Sequence, residues 1–163
     1  MAYLLDTNVF IQAKNLYYGF DVCPAFWDWL DRAHAEGTVV SIDRIGDELT
    51  GGGDELANWA RQQRVGSLFA ETDARVVPSL QQLSAWATGA GFEPAAVSTF
   101  LQVADYYLVA HAHAHGHVVV THEVIDNSKK RIQIPTACLA LSVRYTSPFQ
   151  MLRAEHARFV LAP

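Results

Sequence analysis

Short apolar runs alternate with helical patterning along almost the whole chain. Tyr3 to Leu5 is an apolar run that stops at Asp6, as a buried strand of a parallel sheet does. Thr7 to Lys14 reads as helix. Pro24 opens a second helix in which Phe26, Trp27, Leu30 and Ala33 share one face, and Gly37 closes it. Val39 to Ile42 is a second apolar strand, followed by helical stretches from Asp43 to Leu49 and from Asp54 to Gln63. The cluster Thr50-Gly51-Gly52-Gly53-Asp54 separates those two. Val76-Val77, before Pro78, is a candidate short strand. Ser79 to Thr88 reads as one helix. Pro94 to Ala114 reads as another, with Phe100, Leu101, Ala104, Leu108 and Ala112 on its apolar face, ended by Gly116. His117 to Thr121, with three consecutive valines, has the strongest strand character. Pro135 to Leu141 and Pro148 to His156 are helical, and Ser142 to Thr146 is a last candidate strand.

Strands that alternate with helices imply right-handed crossovers and a parallel sheet covered on both faces. The length of 163 residues fits one domain, 1–163. Half the residues are hydrophobic and 18% are charged, which excludes a disordered chain. The net charge of -5 argues against a module that binds nucleic acid by electrostatics alone. It leaves open a nuclease whose carboxylates hold cations. Cys23 and Cys138 lack the spacing of a disulfide framework or zinc knuckle. There is neither a signal-peptide pattern nor an apolar run of membrane-spanning length, so a soluble cytoplasmic protein is expected.

In open parallel sheets ligands sit beyond the carboxyl ends of the strands. Asp6 falls directly after the first strand. Asp43, Asp47 and Glu48 follow the second. Asp105 lies in an apolar helix leading into the valine strand, and Thr121 and Glu123 end that strand. Gathered carboxylates repel one another unless a cation sits among them, and hard oxygen donors suit Mg²⁺ or Mn²⁺. Asp6 taken alone reads equally as the cap of the following helix. Asp43 reads as a cap, while Glu48 can face the sheet end.

These residues resemble the motifs of PIN domains. Leu4-Leu5-Asp6-Thr7-Asn8-Val9 is similar to their opening motif and Ile45-Gly46-Asp47-Glu48-Leu49 to their second-acid helix. Ala104-Asp105-Tyr106-Tyr107-Leu108-Val109-Ala110-His111-Ala112 is similar to their third-acid helix, and Val118-Val119-Val120-Thr121-His122-Glu123 to their fourth-motif strand. The resemblance implies a three-layer α/β/α sandwich with a mostly parallel central sheet. It also implies an endoribonuclease dependent on Mg²⁺ or Mn²⁺, cleaving RNA with metal-activated water. The toxin half of a toxin–antitoxin pair, with a small antitoxin partner and a possible homodimer, is implied likewise. By the same resemblance Asp6, Glu48, Asp105 and Glu123 are metal ligands, while Asn8 and Thr121 orient them. Many PIN domains carry aspartate where this chain has Glu123, so Asp126 is the other candidate for the fourth acid.

Lys129, Lys130 and Arg131 read either as a phosphate-holding group or as a solvated loop, and His122 as a possible substrate contact. His113 and His117 have a zinc-compatible spacing across Gly116, or are solvated helix-end residues. Tyr17, Tyr18 and Phe20 read as loop aromatics that stack on bases or line a partner surface or the core. Two rival functions stand beside the nuclease. A haloacid-dehalogenase-type phosphatase shares the strand–aspartate start but needs an acid two residues later, where this chain has Asn8. A catalytically inactive PIN-like module would bind RNA or a partner only.

Overall fold

The computed structural model describes residues 1–161. Five parallel strands form the sheet: β1 (Tyr3–Leu5), β2 (Val39–Ile42), β3 (Phe69–Ala70), β4 (Val118–Val120) and β5 (Tyr145–Thr146), in the order β3-β2-β1-β4-β5. Tyr3 pairs with Val39 on one side and Val118 on the other, which puts the apolar start of the chain in the centre of the sheet. The helices are α1 (Thr7–Gln12), α2 (Pro24–Ala35), α3 (Asp43–Thr50), α4 (Glu55–Val65), α5 (Val77–Gly89), α6 (Pro94–Phe100), α7 (Ala104–His115), α8 (Ile134–Ala140) and α9 (Pro148–Ala154). Connections leaving β1 and β2 step one way across the sheet, and those leaving β3 and β4 step the other. Right-handed crossovers therefore put α1–α4 on one face and α5–α8 on the opposite face. The expected α/β/α architecture is the observed one.

Burial explains the strand sequences. Leu4, Leu5, Val39, Ile42, Val119 and Val120 are all at most 1% exposed, so both faces of the central strands are covered and the strands read as continuous apolar runs. Phe10, Trp59 and Phe69 interlock between α1, α4 and β3, with ring centroids 5.7 and 6.3 Å from Phe10.

Three sequence expectations are corrected. The third strand is Phe69–Ala70, and Val77 instead opens α5 just before Pro78. Proline suits a first helical turn because it has no N–H to bond there. The stretch from Pro94 is two helices, broken over 101–103, with Val103 in extended geometry as the cap of α7. The apolar positions continue through the break because both helices bury a face, so the periodicity conceals it. The first helix does not end at Lys14 but continues as a π-helical turn, Ala13–Tyr17. Tyr18 and Phe20 do lie in the loop after it, half-buried, and stack on Phe26 and Trp27 at 4.5 and 4.0 Å, the core-lining alternative of the sequence reading.

Candidate active site

Strand order reverses between β1 and β4, because the chain leaves β1 toward β2 and reaches β4 only after crossing back. That switch point is where an open α/β sheet leaves a crevice. Asp6 follows β1 and Thr121 follows β4 there. The Asp6 N–H donates to Val120 O at 3.0 Å, so the ladder runs one residue past the strand and holds Asp6 rigidly. Asp6 occupies the cap position of α1, yet its carboxylate accepts no capping hydrogen bond. Instead the Thr121 hydroxyl donates to Asp6 Oδ2 at 3.1 Å. The aspartate is 2% exposed. Burial, then the nearby charge of Asp105, push its pKa up to about 7.

Asp105 lies in the first turn of α7, which points that turn at the crevice. Burial, then the charges of Glu123 and Glu48, raise its pKa to about 6, while Arg131 opposes the rise. Glu48 stands exposed on α3 and accepts a hydrogen bond from the Thr7 hydroxyl at 2.6 Å, which ties α3 to the start of α1. Thr7 was not among the residues expected at the site. Only the folded pairing of two helices 41 positions apart in sequence reveals it.

Asp6, Thr7, Asn8, Glu48 and Asp105 line one cleft of about 570 Å³ together with Lys130 and Arg131. Its remaining wall includes Ala96, Phe100 and Val103 from α6 and the break after it. No sequence signal marked that wall, since it exists because the helix breaks. Among the described residues, no group of three or more His, Cys, Asp or Glu side chains is gathered closely enough to hold a metal ion. Glu48 is drawn to Thr7, and Glu123 turns elsewhere. Glu123 Oε2 accepts from the Ile134 N–H at 2.7 Å, and Oε1 pairs with the Arg131 guanidinium. The backbone N–H of Glu123 donates to Thr121 Oγ1 at 3.1 Å. Asp126 is exposed, and its Oδ1 accepts from Ser128 N at 2.9 Å in a turn.

The other acids near the sheet ends have separate structural partners. Asp43 is the first residue of α3, with Ile42 as the cap, and it accepts from the N–H of Arg44. Asp47 pairs with Arg64. Lys129 points away from the cleft: its ammonium lies 4.6 Å from the centroid of the Phe92 ring and donates to Ala90 O. His122 stacks on Tyr17 at 5.6 Å and meets Phe149 edge-on at 5.7 Å. Lys14 pairs with Asp54 at 2.5 Å, and Arg44 lies over the Tyr107 ring. His113 and His117 are engaged separately, with the Ser79 hydroxyl and with the Ala2 N–H.

The donor set facing the cleft is all oxygen: Asp6 is buried, Asp105 is half-buried, and neighbouring carboxylates raise the proton affinity of both. A small hard dication would relieve that repulsion, and oxygen donors are the type that Mg²⁺ or Mn²⁺ takes.

Solved structures with the same architecture exist. VapBC2 from Rickettsia felis, crystallised with a DNA fragment from its promoter, aligns with a TM-score of 0.55 and 14% identity, over 90% of this chain and 98% of that one. FitAcB from Neisseria gonorrhoeae aligns with a TM-score of 0.53 and 23% identity over the same shares of the two chains. FitAB bound to the IR36 DNA fragment aligns with a TM-score of 0.54 and 22% identity, over 90% of this chain and 95% of that one. No curated protein matches the sequence significantly. Among the described residues no helix is long and apolar enough to cross a membrane. With a match spanning residues 3–159, this chain of PIN-domain fold belongs to the family described as "Domain of unknown function (DUF4411)".

Proposed function

We propose that this protein is a Mg²⁺- or Mn²⁺-dependent endoribonuclease, acting as the toxin of a toxin–antitoxin pair. The observation that carries the reading is the pair Asp6 and Asp105: a buried and a half-buried carboxyl, both of raised pKa, held at the switch point, in a cleft that also presents Lys130 and Arg131. Structural ion-pair networks also shift carboxyl pKa values, but those place a cation of the protein against each acid. Here the burial of Asp6 is opposed by the Thr121 hydroxyl and the Thr7 backbone N–H, both neutral donors.

In this reading Asp6, Asp105 and Glu48 hold the cation. Bound there, it supplies charge neutralisation at a phosphoryl group and acidifies water for attack. Thr121 orients Asp6, and Thr7 orients Glu48. The Asn8 amide lines the cleft and offers hydrogen bonds to substrate oxygens. Lys130 and Arg131 hold RNA phosphates. Ala96, Phe100 and Val103 form an apolar wall that limits water and faces the sugar and base.

Asn8 argues against the phosphatase alternative, because a neutral amide transfers no proton. The similar structures, VapBC and FitAB, are toxin–antitoxin complexes, which supports a small antitoxin as partner; a homodimer and a cytoplasmic setting are part of the same proposal.

The test compares wild type with Asp6→Asn and Asp105→Asn in Mn²⁺ on mixed RNA substrates. Wild type should cleave, and each variant should lose at least about a hundredfold in rate, roughly 2.7 kcal/mol of barrier. Equal inactivity of all three on every RNA leaves only the binding-module reading. A phosphoaspartate at Asp6 would instead establish the phosphatase.

A further inference from the structure

Glu123 stands where the PIN motif carries its fourth acid, but its surroundings are those of a clamp. Both carboxylate oxygens already have donors. Oε2 takes the Ile134 N–H at 2.7 Å, Oε1 takes the Arg131 guanidinium, and the Gln133 side-chain amide NH₂ donates to both oxygens. Its side chain is 12% exposed, whereas that of Arg131 is 61% exposed. Beneath it lies Cys138, whose thiol is pushed up to about 12 by burial and then by the Glu123 charge. Glu123 is absent from the lining of the cleft, while Arg131 and Lys130 are part of it.

We infer that Glu123 is a positioning residue for substrate phosphate: it closes the loop from β4 to α8 on itself and fixes Arg131 at the cleft. This inference rests on the nuclease reading of the cleft. The physical argument is one of entropy. The loop 121–133 carries exposed Val124, Ile125 and Asp126 and a solvated basic run. An arginine on such a loop loses much rotamer freedom when it binds phosphate. A recessed carboxylate that anchors one edge of the guanidinium removes part of that cost beforehand. It leaves the other N–H groups free, because a guanidinium has five donors in a fixed fork. Lys129 then has a place in the same device. Its contact with Phe92 and Ala90 O, together with the bond from Glu93 N to Lys129 O at 2.9 Å, pins the loop against the entry to α6. The phosphate-holding pair is thereby Lys130 and Arg131, with Lys129 as an anchor.

Glu123→Gln keeps the size of the side chain and an acceptor for the Ile134 N–H, and Arg131→Gln alters an exposed group. Three readouts separate positioning from metal ligation. The first is Mn²⁺ affinity by calorimetry without RNA, which should stay within about twofold of wild type in Glu123→Gln. The second is binding of a labelled single-stranded RNA in EDTA, where no ligated cation contributes. Loss of the Glu123 charge alone would tighten RNA binding, so the coupling is read instead. Arg131→Gln should weaken binding several-fold in wild type, and by at least about twofold less in the Glu123→Gln background. The third is trypsin cleavage after Lys129 to Arg131 in EDTA, which should quicken in Glu123→Gln. A Mn²⁺ affinity that falls tenfold or more, with unchanged coupling and proteolysis, overturns the inference and makes Glu123 a ligand, while leaving the nuclease intact. Wild type that binds neither Mn²⁺ nor RNA overturns both.

Discussion

The Thr121 hydroxyl donates to Asp6 Oδ2 at 3.1 Å, across 115 residues of sequence. The two residues directly follow the adjacent central strands β1 and β4, whose last residues Leu5 and Val120 pair. The bond exists because the register of those strands is fixed by apolar side chains buried on both faces. It is also the one side-chain hydrogen bond that lowers the proton affinity of Asp6 against burial and the charge of Asp105.

Thr121→Val keeps the shape and removes the donor. The pKa of Asp6 should rise further, so the acidic limb of the pH–rate profile for RNA cleavage should move to higher pH. A hydrogen bond to a charged group contributes about 1.5–3 kcal/mol, so kcat/KM at neutral pH should fall about tenfold or more. The loss should shrink at pH 9, where Asp6 is ionised in both proteins. Superimposable profiles would mean that Thr121 does not set the charge state of Asp6.

Stability of the metal-free protein should fall as pH rises from about 4 to 7. The folded Asp6 and Asp105 carboxyls hold protons up to about 7 and about 6, against 3.8 when unfolded, so the folded state binds the extra protons across that window. Asp6→Asn removes the buried charge and should raise stability in EDTA at pH 8 by on the order of 2 kcal/mol, with little gain at pH 4. Mn²⁺ should stabilise wild type more at pH 8 than at pH 5, because protons compete for the same oxygens. At a hundredfold excess over its Kd the gain is about 2.7 kcal/mol. Thermal melts with and without Mn²⁺ at the two pH values decide; an identical Mn²⁺ increment at both would exclude these carboxyls as its site.

His111 works in the opposite direction. It is 3% exposed on α7, with Nε2 3.2 Å from the Thr72 hydroxyl. Burial, then the neighbouring His115, lower its pKa to about 4 from 6.5, with Asp43 and Asp73 opposing. The unfolded chain therefore takes up a proton that the fold refuses, and stability is lost as pH falls from 6.5 to about 4. This offsets part of the opposite trend from Asp6 and Asp105, so His111→Gln should steepen the fall in stability between pH 4 and 6.5 in urea titrations while leaving the profile above pH 7 unchanged.

Gly46→Ala sets helix propensity against packing. Alanine gains about 1 kcal/mol in a helix interior. At Gly46, however, a Cβ would lie 2.9 Å from Cγ of Phe69, a buried ring on β3 that cannot swing aside. Overpacking of this kind costs about 1–3 kcal/mol, so a net loss of roughly 1 kcal/mol in chemical denaturation is expected. A gain would show that β3 yields.

Much of this molecule is legible in its sequence. Buried strands with both faces covered write themselves as apolar runs, so β1, β2 and β4 stand out, and an aspartate at the end of one of them marks the ligand edge of the sheet. The helical periods between them dictate parallel pairing and covered faces. What needed tertiary structure has long-range causes. Phe69–Ala70 is too short to carry a period and is a strand only because Ser41 and Ile42 offer it partners. The break over 101–103 has no glycine or proline to announce it, and the apolar face runs on through it. The direction of a charged side chain is the least local property of all. Glu48, Glu123, Lys129 and Arg131 each have ample reach, and which partner each takes was decided by what the fold brought within a few ångströms.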